Sequence, residues 1–342
     1  PEHEGIVIDF VREVGLFGYT GTEDLSGEEK EQQEHINAAI LKKIEGTKFA
    51  QLVASVIPSN FSVENYKLAI KLYVTLFDHD DREDEGIPDT DRRDALNELA
   101  LQVSTRAVSD ANFEEYLQKC VDAERHELYK TVFQKSPVIK GLMHVTDEIL
   151  KSRYKDNPSQ MKACEEYRSY TDELRKYLTS VSTEGAILGT CPASYIQLRA
   201  NTSGITAAQT FVFFLATLNY QKQVQIIPKG IGQSLEKLLS NISGTAGLEN
   251  DLFFDKELRE IMHKLKLHSL EGISRENMES LRQECSKPGN YILIKWAEFD
   301  RLSSETLKSA IEATVALVQE KIDARFKEID DLRTLLQSTP QL

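Results

Sequence analysis

Cysteine is scarce in this 342-residue chain, and Cys120, Cys164, Cys191 and Cys285 lie far apart with no CxxC spacing. That pattern signals neither a zinc site nor a disulfide framework. The seven histidines are scattered as well. No basic block occurs, and 41 Lys and Arg against 55 Asp and Glu leave a formal net charge of −14. A nucleic-acid-binding surface is therefore not expected. No apolar run reaches the length of a membrane span, and the opening PEHEG carries no signal-peptide pattern. The expectation is a chain with no stable membrane insertion in a reduced, cytoplasmic setting. Strand signals are nearly absent; only Val224–Ile227 and Tyr291–Ile294 compete with helix.

What is present has helical period almost throughout. Hydrophobic residues make up 40% and charged residues 28%, the balance of a globular protein with a sizeable core. The length allows one large or two ordinary domains, and no repeat or long linker divides it. Helices are expected over 28–45, 62–86, 92–108, 113–134, 138–155, 160–182 and 304–336, separated by Pro, Gly, Ser and Asn breakers. The fold class this implies is all-α: one domain over 1–342, with about 1–27 as a poorly ordered N-terminal arm. Many helices without coiled-coil heptads imply a bundle able to enclose an apolar active-site cavity.

Three stretches carry chemistry. In Ser62–Gly86, SVENYKLAIKLYVTLFDHDDREDEG, the residues Tyr66, Ala69, Ile70, Tyr73 and Phe77 recur at steps of three and four. Continued, that face reaches Asp80, Asp81 and Asp84. Like charges at i and i+4 repel, and carboxylates suit Mg²⁺ held together with substrate phosphates. The bland alternative is a solvated acidic helix end. Burying such acids on an apolar face would be costly without a cation, so the metal reading leads. The second stretch is YIQLRANTSG, Tyr195–Gly204, where Arg199 lies beside a Ser203-Gly204 break and an apolar segment with Phe211, Phe213 and Phe214 follows. Arginine suits phosphate, and a broken helix exposes carbonyls and dipole ends. An ordinary glycine kink with a surface Arg explains the same residues. The third is LENDLFFDKE, Leu248–Glu257, with Asp251 and Asp255 at i and i+4, Asn250 and Glu257 two turns apart, and Lys256 able to reach a phosphate.

In this order the set resembles class I terpene synthases, the terpene cyclases, from about Phe61 to the C-terminus. DDRED at 80–84 is similar to their aspartate-rich motif. YIQLRANTSG is similar to the segment whose Arg, here Arg199, senses diphosphate, and whose helix break, here Ser203-Gly204 with Thr202 and Ser203 as the site residues, acts as effector. NDLFFDKE is similar to their second metal motif, but it lacks that motif's Ser and is one residue short, so Asp255 stands as a substitute ligand. A competing spacing, Asn241, Thr245 and Glu249, is weakened by Gly244 and Gly247. About twenty extra residues precede Asn290, and the family's C-terminal Arg-Tyr pair is missing. Such divergence resembles fungal humulene-type sesquiterpene synthases.

The resemblance implies a cluster of three Mg²⁺ ions held by Asp80, Asp81 and Asp84 on one side and Asn250, Asp251, Asp255 and Glu257 on the other. Arg199 and Lys256 would bind the diphosphate of a prenyl substrate, with farnesyl diphosphate converted to a sesquiterpene such as humulene. Metals and cations stabilise the leaving charge. Aromatic faces, with Tyr73, Phe77, Phe211 and Phe214 as candidates, would stabilise the carbocation by up to ~2 kcal/mol per desolvated contact. Each aromatic also reads as plain core packing. A monomer or homodimer is implied. Two rival readings fit the same helices. A chain-elongating prenyl diphosphate synthase would need a second DDxxD motif. A non-enzymatic helical interaction protein would leave the ordered motifs unexplained.

Overall fold

A computed structural model describes residues 2–57, 61–84, 90–187, 202, 204–216, 238, 242, 245, 248, 251–252, 254–271, 273–286 and 290–338. Every regular element among them is helical, with no strand, so the chain is all-α. No helix among the described residues is long and apolar enough to cross a membrane. By contacts the chain divides into two compact units. The first is Pro1–Leu178 with Ala207–Gln221, and the second is Thr179–Thr206 with Lys222–Leu342.

The first unit opens with α1 (Glu2–Val14), a 3₁₀ turn (Leu16–Gly18), α2 (Gly27–Thr47) and α3 (Phe49–Val56). The helix α4 (Val63–Asp84) follows, then α5 (Thr90–Ser104), α6 (Phe113–Cys120), α7 (His126–Lys135), α8 (Pro137–Tyr154), α9 (Pro158–Ala163) and α10 (Glu165–Ile187), of which the part up to Leu178 belongs to this unit. The helix α11 (Ile205–Leu215) supplies its remaining core. The helix α4 packs on α1, α3 and α8. Ser62 caps it as the sequence suggests, its Oγ accepting the Asn65 N–H at 3.1 Å. Residues 68–70 and 72–76 are all buried. Consecutive buried positions cover every side of a helix, so α4 is surrounded rather than merely faced. Its approach to α8 is close. A Cβ added to Gly141 would lie 2.6 Å from Thr75 Oγ1, so only glycine fits there.

Three local expectations change. The N-terminal arm contains a packed helix: Val7, Phe10, Val11 and Val14 line one face of α1 and are buried. The single helix over 113–134 is interrupted, because Val121 and Asp122 take extended dihedrals before a 3₁₀ turn, Ala123–Arg125, leads into α7. The helix over 160–182 is likewise broken, at Cys164 (φ −67°, ψ 122°), which separates α9 from α10. Elsewhere local chemistry sets the ends as read. Ser136 accepts the Ile139 N–H, and Pro137 opens α8 where its missing donor does no harm.

In the second unit, α12 (Asp255–Lys264), α13 (Arg275–Cys285), α14 (Tyr291–Ala297) and α15 (Ser304–Ser338) gather around Trp296, Leu281, Cys285, Ile292 and Leu302. The indole Nε1 of the fully buried Trp296 donates to Thr306 Oγ1 at 3.0 Å. Tyr291–Ile294, the strand competitor, is helical because Asn290 Oδ1 caps the Ile292 and Leu293 N–H groups. Val224–Ile227 lies outside the described residues.

Candidate functional site

The acidic end of α4 belongs to the first unit. The helix runs unbroken to Asp84, so Asp80, Asp81 and Asp84 occupy i, i+1 and i+4 of one helix, as the sequence indicates. The stripe leading to them does not hold its line. Phe77 is 39% exposed, with its ring 5.1 Å edge-on from Phe49, whereas Asp78 and His79 are each 1% exposed. Among the described side chains here, burial therefore falls on Asp78 and His79 rather than on Phe77.

Both buried residues have structural partners. Asp78 Oδ1 accepts the N–H of Phe17 at 2.7 Å, and Phe17 sits at φ +56° in the turn between Gly15 and Gly18. The ring nitrogens of His79 lie 2.8 Å from Tyr177 Oη and 2.7 Å from Asn97 Oδ1. The Asn97 oxygen can only accept, which fixes the proton on Nε2 and leaves Nδ1 to accept from Tyr177. Burial pushes the His79 pKa down to about 4, so the ring is neutral at pH 7. Asp80 is half-buried, and the side chains of Asp81 and Asp84 lie outside what the structure describes.

Tyr73 is buried, and burial pushes its phenol pKa up. Phe211 is fully buried in a closed aromatic group, 4.8 Å from the Tyr170 ring and 5.9 Å from Phe214. Phe214 meets Tyr167 edge-on at 5.1 Å, with the Arg153 guanidinium 5.1 Å over its ring. These contacts are those of a packed core, the bland alternative for each aromatic.

The second and third motifs belong to the second unit. Arg199 and Ser203 lie outside the described residues. Thr202 is helical and 1% exposed, and Gly204 bends the chain at φ +67° just before α11. The helix break is therefore present, and that left-handed φ explains the glycine. In the third motif Asn250 lies outside the described residues, as do Asn241 and Glu249 of the competing spacing; Thr245 is buried.

Asp251 has a different setting from the helical one expected. It lies in a turn ahead of α12, so no helical i, i+4 relation joins it to Asp255. It is 1% exposed, and its Oδ2 accepts the Tyr291 N–H at 3.1 Å. Its carbonyl accepts from Asn290 Nδ2 at 3.1 Å. A carboxylate at the start of α14 meets unsatisfied N–H groups and the positive end of the helix dipole, so Asp251 holds a helix start. Asp255 is exposed at the first position of α12, and Glu257 is half-buried in the same turn. Lys256 lies between them in the helix, with its side chain outside what is described.

Among the described residues no three His, Cys, Asp or Glu side chains gather in a metal-binding arrangement. Two carboxylate clamps escaped sequence reasoning. Glu98 accepts from Tyr116 Oη at 2.6 Å through one oxygen and from Tyr129 Oη through the other, tying α5 to α6 and α7. Lys71 donates to Glu148 at 2.6 Å beside His144, linking α4 to α8. The i, i+4 spacing of His144 and Glu148 was readable; the remote partners were not. In comparison with known proteins, no family model, curated protein or solved structure matches this chain.

Proposed function

We propose that this chain is a Mg²⁺-dependent enzyme that ionises a linear prenyl diphosphate and cyclises the resulting allylic cation, in the manner of class I terpene synthases. Farnesyl diphosphate is the preferred substrate and a sesquiterpene hydrocarbon, best represented by humulene, the product. One observation carries the reading: α4 continues as a single helix through Asp84. Asp80, Asp81, Glu83 and Asp84 therefore crowd its last turns, where the helix dipole already places partial negative charge. Arg82 is the one cation of that run, and neutral His79 adds none. Oxygen donors at a site of excess negative charge fit a hard divalent cation.

Bound Mg²⁺ would supply charge neutralisation for the departing diphosphate. Asp80, Asp81 and Asp84 would hold it, with Asn250, Asp255 and Glu257 as the second set. Arg199 and Lys256 would orient the diphosphate, and an enclosed apolar cavity would keep water from the cation.

The test is metal-dependent release of diphosphate from farnesyl diphosphate, with gas chromatography of the extract. Wild-type protein should release diphosphate only with Mg²⁺. The Asp80→Ala/Asp81→Ala variant should lose at least about a hundredfold in turnover, ~2.7 kcal/mol, while keeping its helical circular dichroism. Wild-type turnover in that variant sinks the metal assignment. No release from any prenyl diphosphate favours a helical interaction protein, and longer diphosphates formed on adding isopentenyl diphosphate favour chain elongation.

A further inference from the structure

A cleft of about 300 Å³ opens on the first unit between the end of α5, α9 and the first half of α10. Arg168, Thr171, Asp172 and Arg175 stand at i, i+3, i+4 and i+7 of α10 and so share one face. Lys162 of α9 adds a third cation to the lining. Three cations against the single carboxylate of Asp172 give a positive cleft on a chain of net charge −14. None of Lys162, Arg168 and Arg175 has a side-chain hydrogen bond or ion pair among the described residues.

The remaining polar groups of the cleft are already engaged. Tyr167 is buried, with its Oη donating to the Ser104 carbonyl. Thr171 Oγ1 donates to the Arg168 carbonyl at 3.0 Å. The C-terminal end of α5 carries partial negative charge, but it closes on itself: the Arg106 N–H meets the Val103 carbonyl, and the Ala107 N–H meets that of Gln102. The cations are therefore not needed to cap α5. Two guanidiniums and an ammonium around one concavity are the donor set that suits a phosphate group. The volume is at the lower end of small-molecule pockets.

We propose that this cleft binds a small phosphorylated molecule, with its phosphate held by Arg168, Arg175 and Lys162. The site is independent of the metal-dependent reaction proposed above. Asp172, on the same face, opposes an anion and weakens the site.

Inorganic phosphate titrated into the full chain by calorimetry, at low salt and with EDTA present, tests this without any metal-borne site. Wild-type protein should bind saturably. Arg168→Gln/Arg175→Gln should weaken binding at least tenfold without lowering the melting temperature, because both side chains are exposed. Asp172→Asn should tighten it severalfold. Saturable binding that survives the double Arg change, or a wild type that shows none, overturns the proposal. Weaker binding in Asp172→Asn does the same, since it would place a cation rather than an anion in the cleft.

Discussion

Gly141→Ala makes a demanding test of the packing around α4, because intrinsic preference and structure give opposite signs. In a helix interior, glycine to alanine is favourable by about 1 kcal/mol. Here the new Cβ would meet Thr75 Oγ1 at 2.6 Å, Cγ2 at 3.0 Å and Cβ at 3.4 Å. Thr75 is fully buried, and its Oγ1 donates to the Lys71 carbonyl at 2.8 Å. Turning its χ1 only exchanges one crowded atom for another. The strain must then part α4 from α8 locally, and overpacking of this kind costs about 1–3 kcal/mol. The expected net effect is a destabilisation of about 1 kcal/mol. Thr75→Ala removes the two closest atoms and leaves the third at ordinary contact distance. The double variant should therefore recover stability, with a coupling energy of about 1–2 kcal/mol. Urea unfolding followed by circular dichroism at 222 nm, on wild type, both single variants and the double, measures the cycle. A Gly141→Ala protein as stable as wild type, or more so, would refute the close α4–α8 approach.

Asp251→Ala should strand the buried Tyr291 N–H and lower the stability of the second unit by about 1–3 kcal/mol. Trp296, the one tryptophan of the chain and buried in α14, reports this as an earlier fluorescence transition in urea; an unchanged midpoint would remove the helix-start role. Glu148 gives a pH dependence. Burial raises its pKa, but hydrogen bonds from His144 and Lys71 outweigh that and carry it down to about 2, below the ordinary 4.5. The folded value lies below the unfolded one, so this stabilisation is complete above about pH 4.5 and disappears as pH falls toward 2. The side chain is 41% exposed, so solvent screening reduces the effect to about 1 kcal/mol. Wild type should lose that much more than Glu148→Gln in acid unfolding between pH 5 and pH 2; identical losses would count against it.

Much of the fold was legible in the chain because helices are written locally. Spacings of three and four residues, Ser62 ahead of α4, Ser136-Pro137 ahead of α8, and the long helical period over 304–336 need no distant partner to be read. The helix break at Gly204 was legible for the same reason, since a left-handed φ asks for glycine wherever it occurs. The acid run at 80–84 was likewise visible as a helix end, and α4 does extend to Asp84.

Tertiary structure decided which faces those helices bury. A stripe drawn through Tyr73, Phe77 and Asp80 assumes one buried side, but α4 is enclosed through its middle, and further along it Asp78 and His79 are buried while Phe77 is exposed. Their partners are Phe17, Asn97 and Tyr177, and the first and last lie 61 and 98 residues away in sequence. Asp251 and Tyr291 meet across 40 residues and turn an ambiguous apolar segment into a helix start. A carboxylate reads the same in sequence whether it faces solvent, a metal or a backbone N–H. Its role depends on which donor folding brings to it, and that donor is set by packing between remote segments rather than by periodicity within one.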